Sequence, residues 1–72
     1  MPTFWPHARK RMKERKITED EVLAALKRRS GDPRPGDNGR IVVFGYGHGS
    51  RILKIVLTAD EQEIVSVMAL GE

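Results

Sequence analysis

The sequence predicts an α+β domain: two N-terminal helices packed on a three-stranded antiparallel sheet, in the order ααβββ. Three observations point there. Residues 7–16 are good helix formers without Gly or Pro, and Thr18 to Arg29 is a second apolar-periodic stretch. From Ile41 onward, three runs rich in β-branched residues are separated by turn residues. The connections between those runs are too short for parallel crossovers, which leaves an antiparallel meander.

The 72 residues are expected to form a single domain, residues 1–72. A chain of about 60 residues hides only ~60% of its unfolded surface, so partner surface often helps. A doubly wound nucleotide fold or a large barrel is excluded by length. There is no cysteine, which excludes disulfides and thiolate zinc sites and fits a reducing cytoplasm. No apolar run approaches the ~20 residues of a membrane span. The opening Met1-Pro-Thr-Phe-Trp-Pro lacks the charged leader and apolar stretch of a secretory signal. A cytoplasmic protein without a membrane partner is expected. With 39% hydrophobic and 32% charged residues, the composition is globular.

The first helix is placed at about residues 5–15. Pro6 fits its first turn, where a missing N–H costs nothing. At 100° per residue, His7, Arg11, Arg15, Ala8 and Met12 follow one another across about 140° of the helix surface. Ala8 and Met12 are its apolar edge. Arg9, Lys10, Lys13 and Lys16 lie on the other side. The second helix is placed at about residues 19–29. Thr18-x-x-Glu21 has capping-box spacing, and Glu19, Asp20 and Glu21 suit a helix N-terminus. Lys27, Arg28 and Arg29 suit the C-terminus, and Gly31 is a stop signal. Val22, Leu23 and Leu26 are expected to face the core.

Residues 30–39 are turn chemistry throughout and read as an exposed, mobile loop. Strands follow at about residues 40–45, 51–58 and 63–70. In the second, Leu53, Ile55 and Leu57 alternate with Ile52, Lys54 and Val56. In the third, Val65, Val67 and Ala69 alternate with Ile64, Ser66, Met68 and Leu70. Both sheet faces are largely apolar, and two helices cover one. The second, carrying Lys54 and Ser66, calls for a homodimer or protein partner, unless a loop or Phe4 and Trp5 fold over it.

The net charge of +3 is unevenly spread. Residues 7–16 hold six Lys/Arg and one acid, Glu14. Such a segment meets phosphates or an acidic protein, or is simply a solvated helix face. His7 and Arg11 are four residues apart and share a helix face. His7 is the candidate general base, and Arg11 and Arg15 the candidate phosphate holders, for 2′-hydroxyl attack at a phosphodiester. The competing reading is a capping or packing histidine beside surface arginines. Gly45-Tyr46-Gly47-His48-Gly49 lacks the strand–loop–helix context of a phosphate loop and reads as a flexible hairpin loop. Tyr46 and His48 could still reach a nucleic acid. Lys54 is either an auxiliary phosphate contact or a charge that discourages strand aggregation. Two histidines on separate elements, without acids at ligand spacing, point to no metal site and no cofactor.

The segment His7-Ala8-Arg9-Lys10-Arg11-Met12-Lys13-Glu14-Arg15-Lys16-Ile17-Thr18 resembles the opening motif, His-Ala-x-x-Arg-Met-x-x-Arg-x-Ile, of a bacterial and archaeal family of domains of unknown function numbered 4258. Ile52-Leu53-Lys54-Ile55-Val56 is similar to its Leu-Lys-Val-Val strand, and Ile64-Val65-Ser66-Val67 to its closing Ile-Val-Thr-Val strand. The resemblance spans about residues 4–70. It implies a fold similar to the RelE, ParE and BrnT toxins. Relatives there include metal-independent endoribonucleases that use 2′-hydroxyl attack and are neutralised by an antitoxin covering the sheet or the active groove. The motif positions fall on His7, Arg11, Arg15 and Lys54. Ser66 stands where the family often has Thr, and Phe4 and Trp5 stand where a polar capping residue is common. The expected function is therefore a toxin-like RNA-binding protein or metal-independent endoribonuclease. The alternatives are a non-catalytic module binding RNA or an acidic protein through the first helix, and a homodimer with no nucleic-acid role.

Overall fold

The computed structural model describes residues 2–70. In chain order the elements are β1 (Thr3–Phe4), α1 (Pro6–Glu14), α2 (Glu19–Lys27), β2 (Arg34–Pro35), β3 (Ile41–Tyr46), β4 (Ile52–Leu57) and β5 (Glu63–Ala69). The class is α+β, as expected, but the expected three-stranded antiparallel sheet is the centre of a larger one. Five strands run in the order β1-β5-β4-β3-β2. β1 is parallel to β5, and every other pairing is antiparallel, so the sheet is mixed. The two added strands have two residues each. A pair of residues carries no readable alternation, and both strands form by pairing with open edges of longer ones.

α1 begins at Pro6 without a side-chain cap and ends in a Schellman motif. The Ile17 N–H donates to the Met12 carbonyl (2.8 Å) and the Lys16 N–H to that of Lys13 (3.3 Å). Lys16 takes the left-handed conformation the motif requires, at φ 57°. Ile17 and Met12 then meet in the core. α2 begins as expected, with the Thr18 hydroxyl accepting from the Glu21 N–H at 3.1 Å. It ends two residues before the expected Arg29. There the chain is claimed by β3: the Tyr46 N–H donates to the Arg28 carbonyl (3.0 Å) and the Ser30 N–H to that of Phe44 (2.7 Å).

The expected loop over residues 30–39 is thus partly an edge of the sheet. Arg34 and Pro35 pair with Val42 and Ile41, and a 3₁₀ turn at Asp37–Gly39 leads into β3. Proline is tolerated here because an edge strand needs no donor on its open side.

α1 packs over β5, and α2 over β3 and β4. Ala8, Met12, Val22 and Ala25 bury against Val43, Leu53, Ile55, Leu57 and Val67. Full burial of such an aliphatic side chain contributes roughly 1.5–3 kcal/mol. Two expectations are corrected. Ala25 replaces Leu23 in the core, and Leu23 is only half-buried. The β4–β5 register shifts between Val56 and Leu57, so Leu57 pairs with Ile64 while Val56 pairs with Ser66. This bulge turns Ile64 to the helix side, where it is fully buried. Phe4 joins the same core, while Trp5 packs against its edge, donates its indole N–H to Glu63 at 2.8 Å and stacks at 5.1 Å on the guanidinium of Arg40, at the rim of the other sheet face.

Candidate nucleic-acid interface

The core contacts of Ala8 and Met12 fix the rotation of α1. His7 and Arg11 project on one flank and Arg9 and Lys13 on the other, with Lys10 outermost, and all five are exposed. Arg15, at the C-cap, is half-buried, and Lys16 is exposed. Of the six cations in residues 7–16, Arg9 alone among the described residues has an ionic partner, Glu19. Its guanidinium also lies 5.5 Å from the Phe4 ring centre. Lys10, Arg11, Lys13, Arg15 and Lys16 therefore form a cationic cluster around the outer surface and end of α1 that no ion pair neutralises among the described residues.

Within it, His7, Arg11 and Arg15 form a row along one flank that is extended, not convergent. Four residues of helix rise about 6 Å, so His7, Arg11 and Arg15 mark out roughly 12 Å along α1. That length suits successive backbone phosphates better than one phosphate gripped by all three. Among the described residues, the His7 imidazole makes no hydrogen bond or ion pair, so no second group orients it.

At the end of α1, Glu14, Arg15 and Lys16 line a shallow depression with Arg51. Arg51 is held by Glu21, at the start of α2. Glu21 has capping-box spacing, yet its carboxylate does not turn back to the cap. It is 2% exposed and receives two hydrogen bonds from Arg51, Nε to Oε2 at 2.6 Å and a terminal nitrogen to Oε1 at 2.5 Å. The His48 backbone N–H donates to Oε2 at 3.0 Å. The Arg51 hydrogen bond is the main cause that holds the Glu21 carboxyl below its ordinary value of 4.5; burial opposes it, and the His48 N–H adds to the lowering. Arg51 also donates to the Lys16 carbonyl at 3.3 Å. One buried carboxylate thereby ties the end of α1, the start of α2 and the β3–β4 connection together.

That contact also explains the glycine-rich stretch, which was expected to be a flexible hairpin loop. A Cβ on Gly45 would overlap the Ala25 carbonyl, and one on Gly47 the Glu21 carboxylate. These glycines allow close packing of β3 and its connection on α2. His48 is exposed beside Glu21, and Tyr46 is 40% exposed on the opposite sheet face.

Lys54 is also separated from α1. It alternates with the buried Leu53 and Ile55, so it lies on the face away from the helices, with Ser66 in the same groove. The sheet therefore stands between Lys54 and the row formed by His7, Arg11 and Arg15. Among the described residues no three His, Asp or Glu side chains converge on a metal position. Nor is any helix there long and apolar enough to cross a membrane.

Fold and surface define a class: a small α+β domain with two helices on one face of a mixed sheet and, on and at the end of the first helix, five cations without an ion pair among the described residues. Within that class the chain belongs to the family described as Domain of unknown function (DUF4258), whose model matches residues 4–69. Neither the curated proteins nor the solved structures contain a significant match.

Proposed function

We propose that this domain binds RNA through the cationic row of α1, as a toxin-like protein of RelE type. The observation that carries the reading is the contrast in pairing: five cations within seven residues have no ionic partner among the described residues. Unpaired Lys and Arg attract a phosphodiester backbone and release its counterions on contact. Arg11 and Arg15 are the principal phosphate contacts, with Lys10, Lys13 and Lys16 adding to the field. Arg9 contributes less because Glu19 offsets it. His48, next to the Glu21–Arg51 pair, extends the same end of the surface.

Cleavage is the further step of this reading. His7 would take the proton of a ribose 2′-hydroxyl as that oxygen attacks the neighbouring phosphorus. The 5′-oxygen leaves with a proton from water, giving a cyclic phosphate, and Arg11 stabilises the charge that develops on the phosphoryl oxygens. No metal or cofactor enters the step.

Incubation of the protein with RNA in chelator, beside His7→Ala and Arg11→Ala, tests both parts. Cleavage lost in both variants supports the enzyme. Binding without cleavage, weakened steeply by salt, restricts the function to binding. Absence of binding at low salt overturns the reading. Growth on expression gives a second readout: equal, harmless growth with wild type and His7→Ala contradicts a toxin.

A further inference from the structure

We propose that the sheet face turned away from the helices docks an acidic amphipathic helix of a partner protein. The inference does not rest on the RNA reading, because the sheet separates this face from α1.

The face is apolar at its centre. Phe44, Ile52 and Val56 are only half-buried, and Met68 and Leu70 are 43% and 42% exposed. Two depressions cross it. Phe44, Ile52 and Leu70 line one, with Ser30 and Arg34. The other, of about 440 Å³, includes Val56, Val65, Arg40 and Lys54. Lys54 pairs with Phe44 across β3 and β4 and so stands between them. The linings contain three cations, Arg34, Arg40 and Lys54, and one acid, Asp37. An apolar strip with a net positive rim is the complement of an apolar stripe flanked by carboxylates.

Other occupants fit less well. A second copy joined face to face would set these cations against one another. Bases need aromatic platforms, and here the linings are mostly aliphatic; the Phe44 ring is covered by Arg34 at 5.9 Å, the Trp5 ring by Arg40 at 5.1 Å, and Tyr46 lines neither depression. Strand addition is disfavoured because β1 and β2 offer two-residue edges, and β2 includes Pro35. A helix across strands of about 20 Å remains.

The test uses two synthetic peptides of about 14 residues, matching that length as helices. Both carry the same Leu stripe, flanked by Glu in one and by Lys in the other. Methyl-labelled methionine reports the two faces separately, because Met68 is on the open face and Met12 lies beneath α1. The Glu peptide is expected to shift Met68 and leave Met12 in place. Lys54→Glu, a partly exposed position, should weaken the effect by roughly tenfold. Equal shifts with both peptides, or with neither, overturn the proposal. So does a Met68 shift produced by an RNA oligonucleotide, or by raising protein concentration without peptide.

Discussion

The end of α1 and the Glu21–Arg51 contact use the same residue types to opposite ends. Arg51 is committed: its guanidinium makes two bonds to a buried carboxylate and one to the Lys16 carbonyl. Lys10, Arg11, Lys13, Arg15 and Lys16 are not committed in this way. A cation whose charge the fold already uses belongs to stability. A cluster of cations that the fold leaves unneutralised costs some self-repulsion, and an external anion can relieve it. The comparison therefore separates two roles that composition alone merges into a net charge of +3.

Removing Glu21 should have the largest effect on stability. Glu21→Ala leaves Arg51 without its carboxylate and should cost about 2–4 kcal/mol, read by thermal or denaturant unfolding. RNA affinity of the folded variant should be at least that of the wild type, since a neighbouring acid is gone. Arg11→Ala with Arg15→Ala should do the reverse. Stability should stay within about 0.5 kcal/mol, as for most surface changes. Loss of RNA binding by Glu21→Ala while still folded would erase the distinction.

Acid titration sharpens the same contrast. Glu21 is held below its ordinary value, so its stabilising contribution is complete above pH 4.5 and is lost as pH falls through the depressed value. Glu21→Gln should lack that component. The stability gap between wild type and Glu21→Gln should narrow as pH falls below 4.5, measured by denaturant unfolding at each pH. A gap independent of pH would show that charge is not what the contact supplies. The smallest effect concerns Lys16, whose φ of 57° suits glycine. Lys16→Gly should stabilise by about 0.5–1 kcal/mol and remove one cation from the row.

Local periodicity made both helices and the three long strands legible, and it placed Ala8, Met12, Leu53 and Ile55 in the core. The rest depended on distant pairing. β1 and β2 are too short to show a pattern, and the β5 bulge that buries Ile64 is invisible to strict alternation. Glu21 was legible as part of a capping signal, but its real partner, Arg51, is 30 residues away. The signal that could have exposed the contact was Gly45-x-Gly47, read as flexibility where the glycines serve close packing against α2. The candidate site was legible as a row of cations on one helix. Its extended geometry, and the separation of Lys54 from it, required the sheet.

The salt dependence of RNA binding tests the central claim most directly. Association of a short labelled single-stranded RNA is followed by fluorescence anisotropy for wild type and for the Arg11→Ala, Arg15→Ala variant. Two lost phosphate contacts should make the slope of log K against log salt shallower by about 1.4, with weaker binding at every salt concentration. Identical slopes and affinities for the two proteins would contradict the assignment of α1 as the RNA-binding surface.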